Sequence, residues 1–291
     1  MFLKKSITIF LGSALLLQAC GPIKTSSATQ QTIDNPYHDE VIYHVVQRSF
    51  YDSNGDLQGD LKGLRQKLGY LQDLGVTSIL LLPLYESLYY HNYFSSNFEK
   101  IDPEFGTMQD YLDLVKEIHR RGMKLYLDME TQYVTEDHIW FKDSYKNPHS
   151  VYNDYMVYED SAHTKPESII FNLTTLPGFD GTNQKVTTVN LNSDKVKEYN
   201  YQLYKYFVDP NKDGRFDDGV DGFRLDHMMD NLDFKNKWTH LFNNFWKPLF
   251  HRLKAVNPAL NFVAEQAEWA SFGFDYFKEA DVDRVFDFRL A

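Results

Sequence analysis

The chain has 291 residues, 43% of them hydrophobic and 24% charged, enough for one large α/β barrel or two ordinary domains. Its formal net charge of -11 excludes the basic face that nucleic-acid binding requires. With one cysteine, an intramolecular disulfide is excluded.

Lys4 and Lys5 precede an apolar run over 7–17, and Leu17-Gln18-Ala19-Cys20 follows. This pattern predicts a secretory signal over 1–19. Cys20 at the processing point resembles a bacterial lipoprotein box. It implies lipidation of Cys20, a flexible tether over 20–36 and an exported protein held on the cell envelope, at the outer membrane or its periplasmic face. No later segment is apolar enough over sufficient length to span a membrane, so the lipid would be the only membrane contact.

From residue 37 onward strand-like and helix-like segments alternate. Val41–Val46 reads as a buried strand. Leu61, Leu64, Leu68, Leu71 and Leu74 fall at helical spacing, closed by Gly75. Ser78–Leu82 is a second strand, stopped by Pro83. Met108, Tyr111, Val115 and Ile118 mark a helix ending near Gly122, and Leu125–Asp128 a third strand. The section over 130–192 is rich in Tyr, Asn, Ser and Thr and reads as a long irregular insertion. A helix over 194–207, a strand Gly222–Asp226, a helix through Trp238, Leu241, Phe245, Leu249 and Leu253, a strand Phe262–Glu265 and a strand near 284–288 complete the order. Repeated β-α units build parallel sheets with right-handed crossovers. The fold expected is α/β: a (β/α)8 barrel, which takes eight strands, cut after about six, with an inserted domain after the third.

Two strands end in acids. Asp226 closes Val220-Asp221-Gly222-Phe223-Arg224-Leu225-Asp226, and Glu265 closes Phe262-Val263-Ala264-Glu265. Strand side chains alternate, so Arg224 shares a face with Asp226 and is expected to keep that carboxylate ionised. One charged carboxylate and one that carries a proton form the pair that retaining glycoside cleavage needs. Glu268 is a rival for the proton carrier, but it lies past the strand end.

Several motifs in order carry a family resemblance from about Tyr37 to the end. They are Arg48-Ser49-Phe50-Tyr51-Asp52-Ser53-Asn54-Gly55-Asp56 with Gly59-Asp60-Leu61-Lys62-Gly63, then Asp102-Pro103-Glu104-Phe105-Gly106-Thr107. Gly122-Met123-Lys124-Leu125-Tyr126-Leu127-Asp128, Val189-Asn190-Leu191-Asn192, and the Asp226 and Glu265 strands follow. The chain resembles glycoside hydrolase family 13, the α-amylase family. The resemblance implies Asp226 as nucleophile, Glu265 as general acid and then base, and Arg224 as the residue that positions Asp226. It implies sugar contacts from Tyr93, Gln132, Tyr133 and His227. Glu265 must then hold its proton near neutral pH. Gln132 and Tyr133 replace the family's Asn-His pair, Phe94 replaces an acid common in exo-acting members, and His227-Met228 stands where many amylases carry Lys-His. The family's third catalytic carboxylate follows a seventh strand, past residue 291, so this stretch is expected not to hydrolyse glucan by itself.

The resemblance also implies calcium. Asp52, Asn54, Asp56 and Asp60 set oxygen donors along one loop, suited to a hard cation, with a backbone carbonyl near Gln58 completing the set. A weaker loop runs Asp209, Asn211, Asp213, Arg215, Asp217, with Gly214 at the sixth position as in an EF-hand but Val220 where a glutamate belongs. No organic cofactor is implied. The activity implied is retaining hydrolysis of α-linked glucan or malto-oligosaccharide. The alternatives are a glucan transferase or isomerising member, and a non-catalytic glucan-binding surface protein.

Overall fold

Six short apolar runs pair into one all-parallel sheet in chain order: β1 (Ile42–Val45), β2 (Ser78–Leu81), β3 (Lys124–Met129), β4 (Gly222–Met228), β5 (Asn261–Gln266) and β6 (Arg284–Phe286). The computed structural model describes residues 37–178, 180–267 and 271–289. The predicted signal, Cys20 and the whole tether over 20–36 lie outside them, as does Glu268. Residues 40–291 form one compact unit.

The crossover helices are α1 (Leu61–Asp73), α2 (Met108–Arg120), α3 (Asp194–Val208) and α4 (Lys247–Val256), with a shorter α5 (Phe274–Ala280) before β6. Asp60 starts α1 by accepting the Gly63 N–H, and Thr107 with Asp110 forms a reciprocal capping box at the start of α2. The leucines predicted to face the core, Leu61, Leu64, Leu68 and Leu71, are fully buried; Leu74 is exposed. Gly222 is required where three strands converge. A Cβ there would lie 2.1 Å from the Asn261 carbonyl oxygen and 2.8 Å from the Tyr126 ring.

The sheet curls. Glu40, just before β1, pairs with Arg284 at the start of β6 at 2.6 Å, and Tyr126 of β3 donates to the same carboxylate at 2.9 Å. An ion pair between the two edge strands requires the sheet to close on itself like the staves of a barrel.

Two expectations are corrected and one pair of strands is added. The section over 130–192 is not wholly irregular: Tyr133–Thr135, Asn183–Thr188 and Thr175–Pro177 pair antiparallel in that spatial order, beside a short helix Ile139–Ser144. Its β-branched Val186, Thr187 and Thr188 are buried in succession, so no polar–apolar alternation marks the strand. The helix expected from Trp238 starts at Phe242 with a five-residue π turn leading into α4. His240 at φ 61 cannot continue a right-handed helix, and Trp238 instead is buried beside the loop that follows β4. A small antiparallel pair, Tyr85–Glu86 with Asn97–Ile101, follows β2 unannounced by periodicity. Among the described residues no helix is long and apolar enough to cross a membrane.

Candidate active site

The C-terminal ends of β3, β4 and β5 bring three carboxylates onto one guanidinium. Arg224 pairs in register with Asp128 across the β3–β4 ladder. Its Nη1 donates to Asp128 Oδ1 and Oδ2 at 2.7 and 2.8 Å and to Asp226 Oδ1 at 2.5 Å, while Nη2 lies 3.0 Å from Glu265 Oε2. Arg224 and Asp128 are buried and the tips of Asp226 and Glu265 are partly open. Burial opposes the Arg224 charge, but Asp128, Asp226 and Glu265 outweigh it and push its pKa further up.

A bulge aims the two catalytic candidates. The β4–β5 register runs Leu225 opposite Ala264, then Met228 opposite Gln266, so Asp226 and His227 together face Glu265 alone. Bulges of this kind redirect side chains beside functional sites. His227, at φ 47, turns its backbone N–H onto Glu265 Oε2 at 2.8 Å. Asp226 and Glu265 thereby come within hydrogen-bonding reach of each other.

The expectation that Arg224 keeps Asp226 ionised does not describe the whole charge balance. Burial pushes the Asp226 carboxyl up, Arg224 pulls it down, and Asp128 and Glu265 push it up again, leaving it well above the usual carboxylate range.

The residues expected to contact sugar divide into two groups. Tyr93 stands at the cluster: its hydroxyl donates to Asp128 Oδ2 at 2.7 Å, and its ring centroid lies 5.8 Å from the Arg224 guanidinium carbon. Burial and Asp128 hold its phenol protonated. Gln132, Tyr133 and His227 are turned onto the protein. The Gln132 amide donates to the Asp226 and His227 carbonyls at 2.7 and 3.2 Å. Tyr133 donates to Asp233 Oδ1 at 2.5 Å, and His227 Nε2 lies 3.1 Å from the same oxygen.

Four residues at the site were missed from sequence. Asp128 could have been found from strand alternation opposite Arg224. His44, whose Nε2 lies 3.2 Å from Asp128, sits one residue before the end of β1. Glu130 lies on the loop after β3 and Asp233 in a single 3₁₀ turn, Leu232–Phe234, where no periodicity marks them. A cavity of about 870 Å³ walled by Glu99, Asp137, Trp140, Tyr152 and Tyr199 includes none of this cluster; charge convergence, not cavity size, identifies the site.

In the first acidic loop Asp52 accepts the N–H groups of Asn54, Gly55 and Leu57, Asn54 accepts from Asp56, Asp56 accepts from Gln58, and Asp60 caps α1. The Gln58 side chain bonds Arg48 and Glu104. In the second loop Asp209 and Asn211 accept backbone N–H groups, and the Arg215 guanidinium pairs with Asp213 at 2.9 Å. Among the described residues no three acidic, histidine or cysteine side chains gather as a metal-binding group. Both loops, in this form, are closed by their own N–H groups.

Residues 44–241 match the family model of the alpha amylase catalytic domain. The chain is 31% identical over 233 residues to Alpha-amylase 3 of Dictyoglomus thermophilum, covering 79% of this chain and 44% of that protein. It is 34% identical over 202 residues to an oligo-1,6-glucosidase of Bacillus cereus, covering 65% of this chain and 35% of that protein. The crystal structure of an alpha-amylase from H.orenii superposes with a TM-score of 0.70 at 30% identity, covering 86% of this chain and 52% of that one. The chain thus spans less than half the length of these curated relatives. With a family model over most of its length and a curled parallel sheet like that of its structural neighbours, the chain belongs to the α-amylase family.

Proposed function

We propose that this chain supplies the nucleophile and the acid/base of a retaining glycosidase acting on α-linked glucans or malto-oligosaccharides. The observation that carries the reading is the single guanidinium of Arg224 holding Asp226 and Glu265 on adjacent strand ends. Two carboxyls on one guanidinium support the close spacing of retaining enzymes over the separation of about 6.5–9.5 Å that inverting enzymes keep for a water. In this reading Asp226 attacks the anomeric carbon while Glu265 gives its proton to the leaving oxygen. Glu265 then takes a proton from the water that releases the sugar. Arg224 and Asp128 fix the geometry, and Tyr93 offers a face for the sugar.

One observation favours a second reading, a glucan-binding protein without turnover: Gln132 and Tyr133 spend their polar groups on the protein. Assaying the full-length protein on malto-oligosaccharides separates the two. The enzyme reading expects turnover that Asp226→Ala lowers by about 10⁴-fold or more, with glucan binding retained. Binding without turnover in the wild type would select the second reading, and turnover unchanged by Asp226→Ala would remove the nucleophile assignment. We further propose export and lipidation at Cys20, supported by the leader pattern, and calcium at the loop holding Asp52, Asn54, Asp56 and Asp60. The calcium reading rests on all-oxygen donors and requires their carboxylates to turn from N–H groups to the ion.

A further inference from the structure

Glu130 is a fourth carboxyl at this site, and nothing in the mechanism above uses it. It follows β3 directly, is 1% exposed, and its side chain hydrogen-bonds that of Asp226. One Glu130 oxygen accepts the Gln132 N–H. The nearby Tyr85 hydroxyl is committed to the Glu130 backbone, donating to its carbonyl at 2.6 Å and accepting its N–H at 2.8 Å. Tyr133 gives its proton to Asp233.

Counting charge locates a proton. Arg224 is the cation shared by Asp128, Asp226 and Glu265; even with the proton that the mechanism puts on Glu265, ionised Asp128, Asp226 and Glu130 would leave two uncompensated negative charges in a largely buried site. Among the described residues the ion pairs of Arg224 go to Asp128, Asp226 and Glu265, and none goes to Glu130. A hydrogen bond between two carboxyls requires a proton on one of them. Burial pushes both carboxyls up, but of the two only Asp226 meets Arg224, so the shared proton belongs on Glu130.

We propose that Glu130 is a proton-bearing positioning residue, whose carboxylic acid donates to the Asp226 carboxylate and holds that nucleophile ionised and aimed. The role rests on the nucleophile reading of Asp226; the placement of the proton does not. The other titratable groups facing Glu130 act in the same direction. Burial pushes its pKa up, and Asp226 and Asp233 add to this. Tyr85, Tyr133 and Tyr204, the phenols nearest it, are themselves pushed up by burial and stay neutral.

Infrared difference spectroscopy on the full-length protein with ¹³C-labelled glutamate reads the proton directly. Near pH 7, in a Glu265→Gln background that removes the proton the mechanism puts on Glu265, the carbonyl stretch of a protonated glutamic acid should remain, and adding Glu130→Gln should remove it; adding Asp226→Asn should shift the band, because the acceptor changes from carboxylate to amide. Thermal melting gives a second reading. A carboxyl protonated in the fold stabilises fully below its unfolded pKa of about 4.3 and loses that contribution as pH rises toward its folded value. The Tm of Glu130→Gln should therefore gain on the wild type as pH rises above about 4.5. A band that survives Glu130→Gln in the Glu265→Gln background, or melting curves that stay parallel across pH, would overturn the proposal. If the band behaves as expected but Asp226→Ala leaves turnover unchanged, the proton stands and the nucleophile reading fails.

Discussion

The ends of β4 and β5 and the end of β3 face the same site but direct their side chains differently. On β4 and β5, Asp226 and Glu265 point at one guanidinium and keep partly open tips. After β3, Glu130, Gln132 and Tyr133 are fully buried and bond to protein groups 94 to 100 residues further along the chain. The acid pair is thus presented outward, while the residues after β3 expected to contact sugar bond inward to the protein. The chemistry and the recognition of substrate can therefore change separately, even on adjacent strands.

Removing the shared cation tests the outward half and should have the largest effect. Arg224→Met leaves three carboxylates without their counter-charge, which destabilises by about 3–5 kcal/mol. Arg224→Lys should recover only part of that, because an ammonium lacks the planar fork that reaches three acids. Equal melting temperatures for Met, Lys and wild type would show that the cluster is not held by this group.

Tyr133→Phe tests the inward half. Losing the bond to Asp233 leaves a buried carboxylate short of a donor, at about 1–3 kcal/mol. A changed KM with unchanged stability would instead make Tyr133 a substrate contact.

The inserted segment supplies a pH test. Burial pushes the His138 imidazole down to about 3, and its Nδ1 accepts the Trp140 N–H at 3.2 Å. A base whose folded pKa is lowered contributes stability that is complete above the unfolded value of about 6.5 and is lost as pH falls toward the folded one. The wild type should lose up to about 1.4 kcal/mol per pH unit below about 6.5. His138→Asn, which keeps a capping acceptor without titrating, should show a flatter curve; parallel curves would remove the assignment. The smallest expected change is a few degrees of Tm lost on chelation, which tests calcium at Asp52, Asn54, Asp56 and Asp60, and an unchanged Tm would exclude it.

Much of the barrel was legible because its causes are local. Leucines at helical spacing, strand runs stopped by Pro83, and an acid two residues after Arg224 each follow from backbone period. The bulge at Asp226 and His227 was not legible, since it depends on register with β5 rather than on either strand alone. Nor was the inward turn of Gln132 and Tyr133, whose partners, the Asp226 and His227 carbonyls and Asp233, lie far along the chain. Trp238 misled because its apolar spacing continues a helix that the backbone at His240 interrupts. The order of motifs identified the family, and the third dimension showed which of their side chains still face the site.

The central claim is that Asp226 forms the covalent bond to sugar. Treating the full-length protein with a slowly released fluorinated α-glucosyl fluoride, followed by peptide mass spectrometry, tests it directly. The account predicts one glycosyl adduct on the peptide containing Asp226, absent from Asp226→Ala. Turnover without any adduct and with inverted anomeric product, or an adduct on another acid, would contradict it.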